Sequence, residues 1–226
     1  MINFLQYLLD WSEVWAPLIP LIYFIFHRNQ PAFLKPVIIY LTVAFFINLT
    51  GNIISDFKSY LPSWMQSNNP LYNAHSVFRF ICFGFFFMGL RQTSLVRLRY
   101  LLTVISVLII ILNFIFIEDF GNPNHLSGNL LAVEAYLLLI YCLLYYLSKL
   151  REDDSDITSG PDFWVVIGLS IYVVINFFVF LFYVPMIYHD SLLAERIWNV
   201  HNIAYIILCI FITRAFYDSA RHQFAV

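Results

Sequence analysis

Seven mostly apolar stretches dominate this chain, each close to the roughly 20 residues that a helix needs to cross a hydrocarbon core of about 30 Å. They lie at 5–26, 36–54, 71–90, 100–117, 128–148, 163–186 and 197–217. Only 12% of the 226 residues are charged, against roughly 25% in a soluble domain. The expected fold is therefore an all-α membrane protein, a bundle of seven transmembrane helices forming one polytopic domain over 1–226. Its expected place is the cell (inner or plasma) membrane, with the lipid bilayer as its first partner.

The N-terminal "MINFLQYLLDWSEVW" lacks the basic region and small-residue cleavage site of a signal peptide, so the first helix is expected to be retained. Cys82, Cys142 and Cys209 each fall inside a span without paired spacing and read as small apolar core residues. A net charge of −2 without a long basic cluster gives no reason to expect nucleic acid as a partner. The "NLT" sequon at Asn48 lies within a span and is expected to be fortuitous. Pro17 and Pro20 in the first helix and Pro185 in the sixth are expected to bend their helices and free carbonyls for neighbours to satisfy.

Positive charge sets the orientation, because cytoplasmic loops retain Lys and Arg. The odd-numbered loops and the C-terminal end hold Arg28, Lys35, Arg91, Arg97, Arg99, Lys149, Arg151, Arg214 and Arg221, whereas the opposite side holds Lys58 and Arg196. The N-terminus is thus expected outside and the C-terminus in the cytoplasm. Trp11, Trp15, Trp64 and Trp198 then lie near the outer surface and Trp164 near the inner one.

With that orientation the polar residues inside the spans fall into one layer. His75 and Arg79 lie four residues apart on one face of the third helix, below Asn73. Asn48 and Asn52, Asn113, Glu134, Asn176, and Asn199, His201 and Asn202 complete the layer from other helices, while the inner half is left to apolar and aromatic residues. A charge at membrane depth costs several kcal/mol unless paired or wetted, so Glu134, read as the one acidic residue deep in a span, is the expected counter-ion of Arg79. The asparagines are as readily explained as ties between helices.

Such a layer admits several chemistries. His75, His201 and Glu134 are a ligand set for zinc or iron, which makes a membrane-embedded metal-dependent hydrolase the alternative reading. The third histidine that seven-helix ceramidase-like hydrolases require is missing at that depth, and no HxxxH or HExxH spacing occurs. Axial haem ligation by histidines ranks lower. Retinal needs a lysine within a helix, and Lys35, Lys58 and Lys149 all lie at edges or in loops. A transporter or channel subunit ranks third, since the chain shows neither repeated halves nor a polar path through the inner half.

The last two apolar segments, "PDFWVVIGLSIYVVINFFVFLFY" and "WNVHNIAYIILCIFITRAFY", with "NAHSVFRF" in the third, resemble a group of small bacterial seven-helix proteins in which a W…G…IY helix precedes an N-I-x-Y helix. The resemblance implies a polytopic fold and an association with sensor histidine kinases. It implies no activity and assigns no residue.

The reading that fits the asymmetric polarity is a receptor or sensor-like protein with an outward polar pocket. His75, Arg79, Asn113, Glu134, Asn176, His201 and Asn202 are its expected lining, and no cofactor is required. Arg79 implies a small anionic ligand. Signalling would pass to a separate cytoplasmic or membrane partner, with the acidic run "REDDSD" at 151–156 as a docking patch or plain solvated loop. A homo-oligomer remains open.

Overall fold

The computed structural model describes residues 2–90, 96–116, 126–151 and 160–224, and every regular element among them is helical. The α-helices in chain order are α1 (Ile2–Asp10), α2 (Ser12–Trp15), α3 (Leu18–Phe26), α4 (Lys35–Asp56), α5 (Asn69–Gly89), α6 (Val96–Phe116), α7 (Gly128–Arg151), α8 (Pro161–His189) and α9 (Ser191–Phe224). Several of the sequence features lie outside the described residues: Arg91, residues 152–156 of the acidic run, and the side chains of Trp64 and Arg99.

Local chemistry explains the helix ends. Proline opens α4, α5 and α8, where its missing N–H is one of those left unbonded anyway. At the sharp turn into α9, the Asp190 carboxylate accepts the Leu193 N–H at 3.0 Å, a side-chain cap.

Five helices are long and apolar enough to cross a membrane: Ala32–Asp56, Asn69–Gly89, Gly128–Arg151, Pro161–Tyr183 and Leu192–Arg221. A sixth span exists if Phe4–Asp10 and Ser12–Phe26, which meet at 51°, count as one. The stretch expected at 100–117 falls on α6, whose apolar part, Tyr100–Asn113, is shorter than a full span. Two of the seven expected spans are thus not straight, full-length spans: the first is broken and the fourth is short.

The helices close into a ring. α7 packs on α8, α8 along α9, α9 on α1, α2 and α3, this broken segment on α4, α4 on α5, and α5 back on α7. α6 lies outside the ring against α7, and its apolar side chains, Leu101, Val104, Leu108 and Leu112 among them, stay exposed. Gly168 lets α8 and α9 approach: a Cβ there would stand 2.5 Å from the Phe211 Cβ.

The end of the ring that holds Trp164, Arg214 and Lys149 is sealed by rings. Tyr40 meets Phe83 at 5.1 Å between centroids, Phe86 meets Phe87 at 5.2 Å, and Phe87 stacks on Tyr141 at 5.3 Å. The three cysteines are free and buried in this packing.

Candidate functional site

The broken first helix organises the opposite end. Pro17 has no N–H to give the Glu13 carbonyl, and Asn48 from α4 supplies the missing donor at 3.1 Å. Around the bend at Trp11, the Asn202 amide of α9 donates to the Leu9 carbonyl at 3.1 Å, Asn52 to that of Asp10 at 3.4 Å, and the Trp15 indole to that of Leu8 at 2.9 Å. Buried polar backbone must find partners, and here three asparagines from two neighbouring helices provide them. Asn48 and Asn202 therefore act as ties. Asn48 is also too buried to serve as a glycosylation acceptor.

The consequence of the bend is the position of Glu13. It was expected that Glu134 would be the one acidic residue deep in a span, but Glu13 is only 4% exposed. Its carboxylate meets His201 Nε2 at 3.0 Å through one oxygen and accepts the Tyr72 hydroxyl at 3.2 Å through the other. The other ring nitrogen of His201, Nδ1, contacts Asn176 Oδ1. Asn176 is oriented by its own Nδ2, which donates to the Tyr172 carbonyl at 2.8 Å.

Deeper lies the second charged pair. Arg79 donates from Nε to one Glu134 oxygen at 2.7 Å and from Nη2 to the other at 2.5 Å, a fork-on-fork geometry that suits guanidinium and carboxylate. Its Nη1 donates to the Tyr172 hydroxyl at 2.6 Å, and the Ser76 hydroxyl donates to Glu134 at 2.6 Å. Arg79 and Glu134 are 4% and 1% exposed. The expected counter-ion relation is present, but it engages Arg79 fully on one face and hides it from any ligand.

Above Glu13 opens a cavity of about 300 Å³. Asp10, Glu13 and Asp56 supply three carboxyl groups to its wall, Asn52, Asn68 and Asn69 supply amides, and Trp11, Tyr72, Tyr183 and Trp198 supply rings. Among the described residues no Lys, Arg or His lines it.

None of the seven residues expected to line a pocket is in the wall of this cavity. Arg79, Glu134, Asn176 and His201 form the layer beneath its floor, with His201 in contact through Glu13. His75 is buried, stacked on Tyr40 at 5.7 Å, with no hydrogen-bond partner for its Nε2 among the described residues. Asn113 sits on the peripheral α6, its Oδ1 also without a partner among the described residues, and Asn202 holds Leu9. The alternative metal set is not gathered either: Glu134 is held by Arg79 and Ser76, His201 by Glu13 and Asn176. Among the described residues no group of three His, Cys, Asp or Glu side chains is placed to hold a metal ion.

What the sequence reading missed was Glu13, Asp10 and Asp56. A signal existed for Glu13, which stands four residues before Pro17, so its own carbonyl must be served by another helix, and Trp11 and Trp15 flank it. Searches of protein-family models, of curated proteins and of solved structures gave no match to this chain.

Proposed function

We propose that this chain is a receptor-like protein of the cell membrane that binds a small organic cation in the cavity above Glu13. In this reading it crosses the membrane seven times, with α1–α3 as one bent span and α6 as a short one. The N-terminus and the cavity face outward. The basic residues support that orientation, since Arg28, Lys35, Lys149, Arg151, Arg214 and Arg221 all belong to the end away from Glu13.

The observation that carries the ligand class is the lining: three carboxyl groups, four aromatic rings and, among the described residues, no basic side chain around about 300 Å³. Carboxylates attract a cation, and Trp and Tyr faces add roughly 0.5–2 kcal/mol each as cation–π contacts. The anionic ligand expected from Arg79 gives way to a cation, because Arg79 is neutralised by Glu134 below the floor.

The bound state has a path to the other face. α3 continues from the Glu13 segment along α9, where Phe24 meets Phe216 at 6.3 Å and Gln30 donates to the Phe216 carbonyl at 3.4 Å. A ligand that changes how Glu13 holds His201 thereby biases the seating of the broken helix on α9, a two-state element that a cytoplasmic or membrane partner can read.

The test is calorimetry on the purified full chain in lipid nanodiscs with benzyltrimethylammonium, benzylamine and benzoate. The two cations bind and benzoate does not. Asp56→Asn at the rim and Glu13→Gln at the floor each weaken the cations, the latter by at least about tenfold, or 1.4 kcal/mol. Preference for benzoate, or no binding of either cation, overturns the reading.

A further inference from the structure

We infer that the cavity is a proton-coupled site, in which each bound organic cation displaces one proton held between Glu13 and His201. The inference rests on the proposed cation site and adds its regulation.

Counting donors fixes the tautomer of His201. Asn176 Nδ2 must be the nitrogen that faces the Tyr172 carbonyl, because a carbonyl only accepts. Asn176 therefore presents Oδ1 to His201, and His201 Nδ1 must carry a hydrogen to donate to it. The second ring nitrogen, Nε2, then meets a carboxylate oxygen of Glu13 at 3.0 Å. Two acceptors cannot sit at that distance without a hydrogen between them. A single proton must lie there, as imidazolium facing carboxylate or as carboxylic acid facing neutral imidazole.

Other titratable groups surround the pair, but among the described residues none of them lies between His201 Nε2 and the Glu13 oxygen that faces it. From α5, Tyr72 donates to the other Glu13 oxygen, and His75 lies within electrostatic range of His201. Tyr172 and Tyr183 of α8 and Tyr205 of α9 are phenols within electrostatic range of Glu13, Tyr40 of α4 stacks on His75, and Asp56 of α4 lines the cavity. The Arg79 charge is cancelled by Glu134 of α7, and Asp10 of α1 stands across the cavity at the rim.

Glu13 belongs both to this pair and to the cavity wall. With the proton present, the pair is neutral overall and attracts a cation weakly. With the proton gone, Glu13 offers a full negative charge to the cavity. A second positive charge against the same carboxylate is repelled by the first, so proton and cation exclude one another. The proton leaves through the cavity to solvent, and the ligand cation takes its place against the carboxylate. Linkage makes the effect reciprocal.

Calorimetric titration with benzyltrimethylammonium tests this, because its charge does not change with pH. Binding heats measured in buffers of different ionisation enthalpy, from pH 5.5 to 8.5, give the number of protons released. The expected result is release approaching one proton within that range, with affinity rising up to tenfold per pH unit there. His201→Asn, which removes the shared proton, should bind the probe with release near zero and a flat pH profile. If that variant fails to fold, the wild-type proton count decides alone. Binding with release below about 0.2 proton throughout overturns the coupling and leaves the cation site standing. Absence of binding overturns the cation site itself.

Discussion

Neutralising Arg79 and Glu134 separately and together distinguishes a true pair from two independent polar residues. Arg79 is 4% exposed and Glu134 1%, and the pair is forked, with Tyr172 and Ser76 as outer partners. Arg79→Met leaves Glu134 with one hydroxyl donor, and Glu134→Gln leaves Arg79 facing an amide and a phenol. Removing one member of a buried pair costs about 3–5 kcal/mol, because the survivor is desolvated without compensation. Replacing both removes the lone charge, so the double variant should recover most of that loss, giving a coupling of about 5 kcal/mol or more. For a chain of this size each kcal/mol corresponds to roughly 2–4 °C of melting temperature. The single variants should therefore melt about 6–20 °C below the parent in nanodiscs at a fixed scan rate, and the double variant well above either. Equal melting of the double and the weaker single variant would refute the pair as an energetic unit.

Three further outcomes follow from the same packing. Asn48→Leu should cost about 1–2 kcal/mol by stranding the Glu13 carbonyl, and Pro17→Ala, which restores a backbone N–H, should cancel most of that cost in a double-mutant cycle read by thermal melting. Gly168→Ala should destabilise the chain by about 1–3 kcal/mol, since its Cβ would meet the Phe211 Cβ at 2.5 Å and force α8 from α9. Cys82, Cys142 and Cys209, all buried, should resist a maleimide in the folded protein and react after denaturation in dodecyl sulfate.

The membrane character and five of the spans were legible in the sequence, because a run of twenty apolar residues admits few alternatives. The Arg79–Glu134 pair was legible too: two opposite charges at similar depth in different helices have strong reason to meet. The cavity was not. Its acidic wall comes from Asp10, Glu13 and Asp56, none of which belongs to the polar layer read from the sequence, and the chain bends by 51° at Trp11, between Asp10 and Glu13. That bend depends on donors from Asn48, Asn52 and Asn202, contacts across 35 to 193 positions that no local pattern encodes. Asn202 shows the limit most clearly. Depth alone placed it among ligand-binding groups, whereas its amide closes a carbonyl gap in another helix.

The account stands on an acidic cavity that opens outward and takes a cation. Asn68 lines that cavity, and the native cysteines are buried. An Asn68→Cys variant labelled in intact cells with a membrane-impermeant maleimide therefore reads orientation and occupancy together. The account predicts labelling without permeabilisation, slowed by benzyltrimethylammonium and unaffected by benzoate. Labelling only in permeabilised cells, or labelling that the cation leaves unchanged, would contradict it.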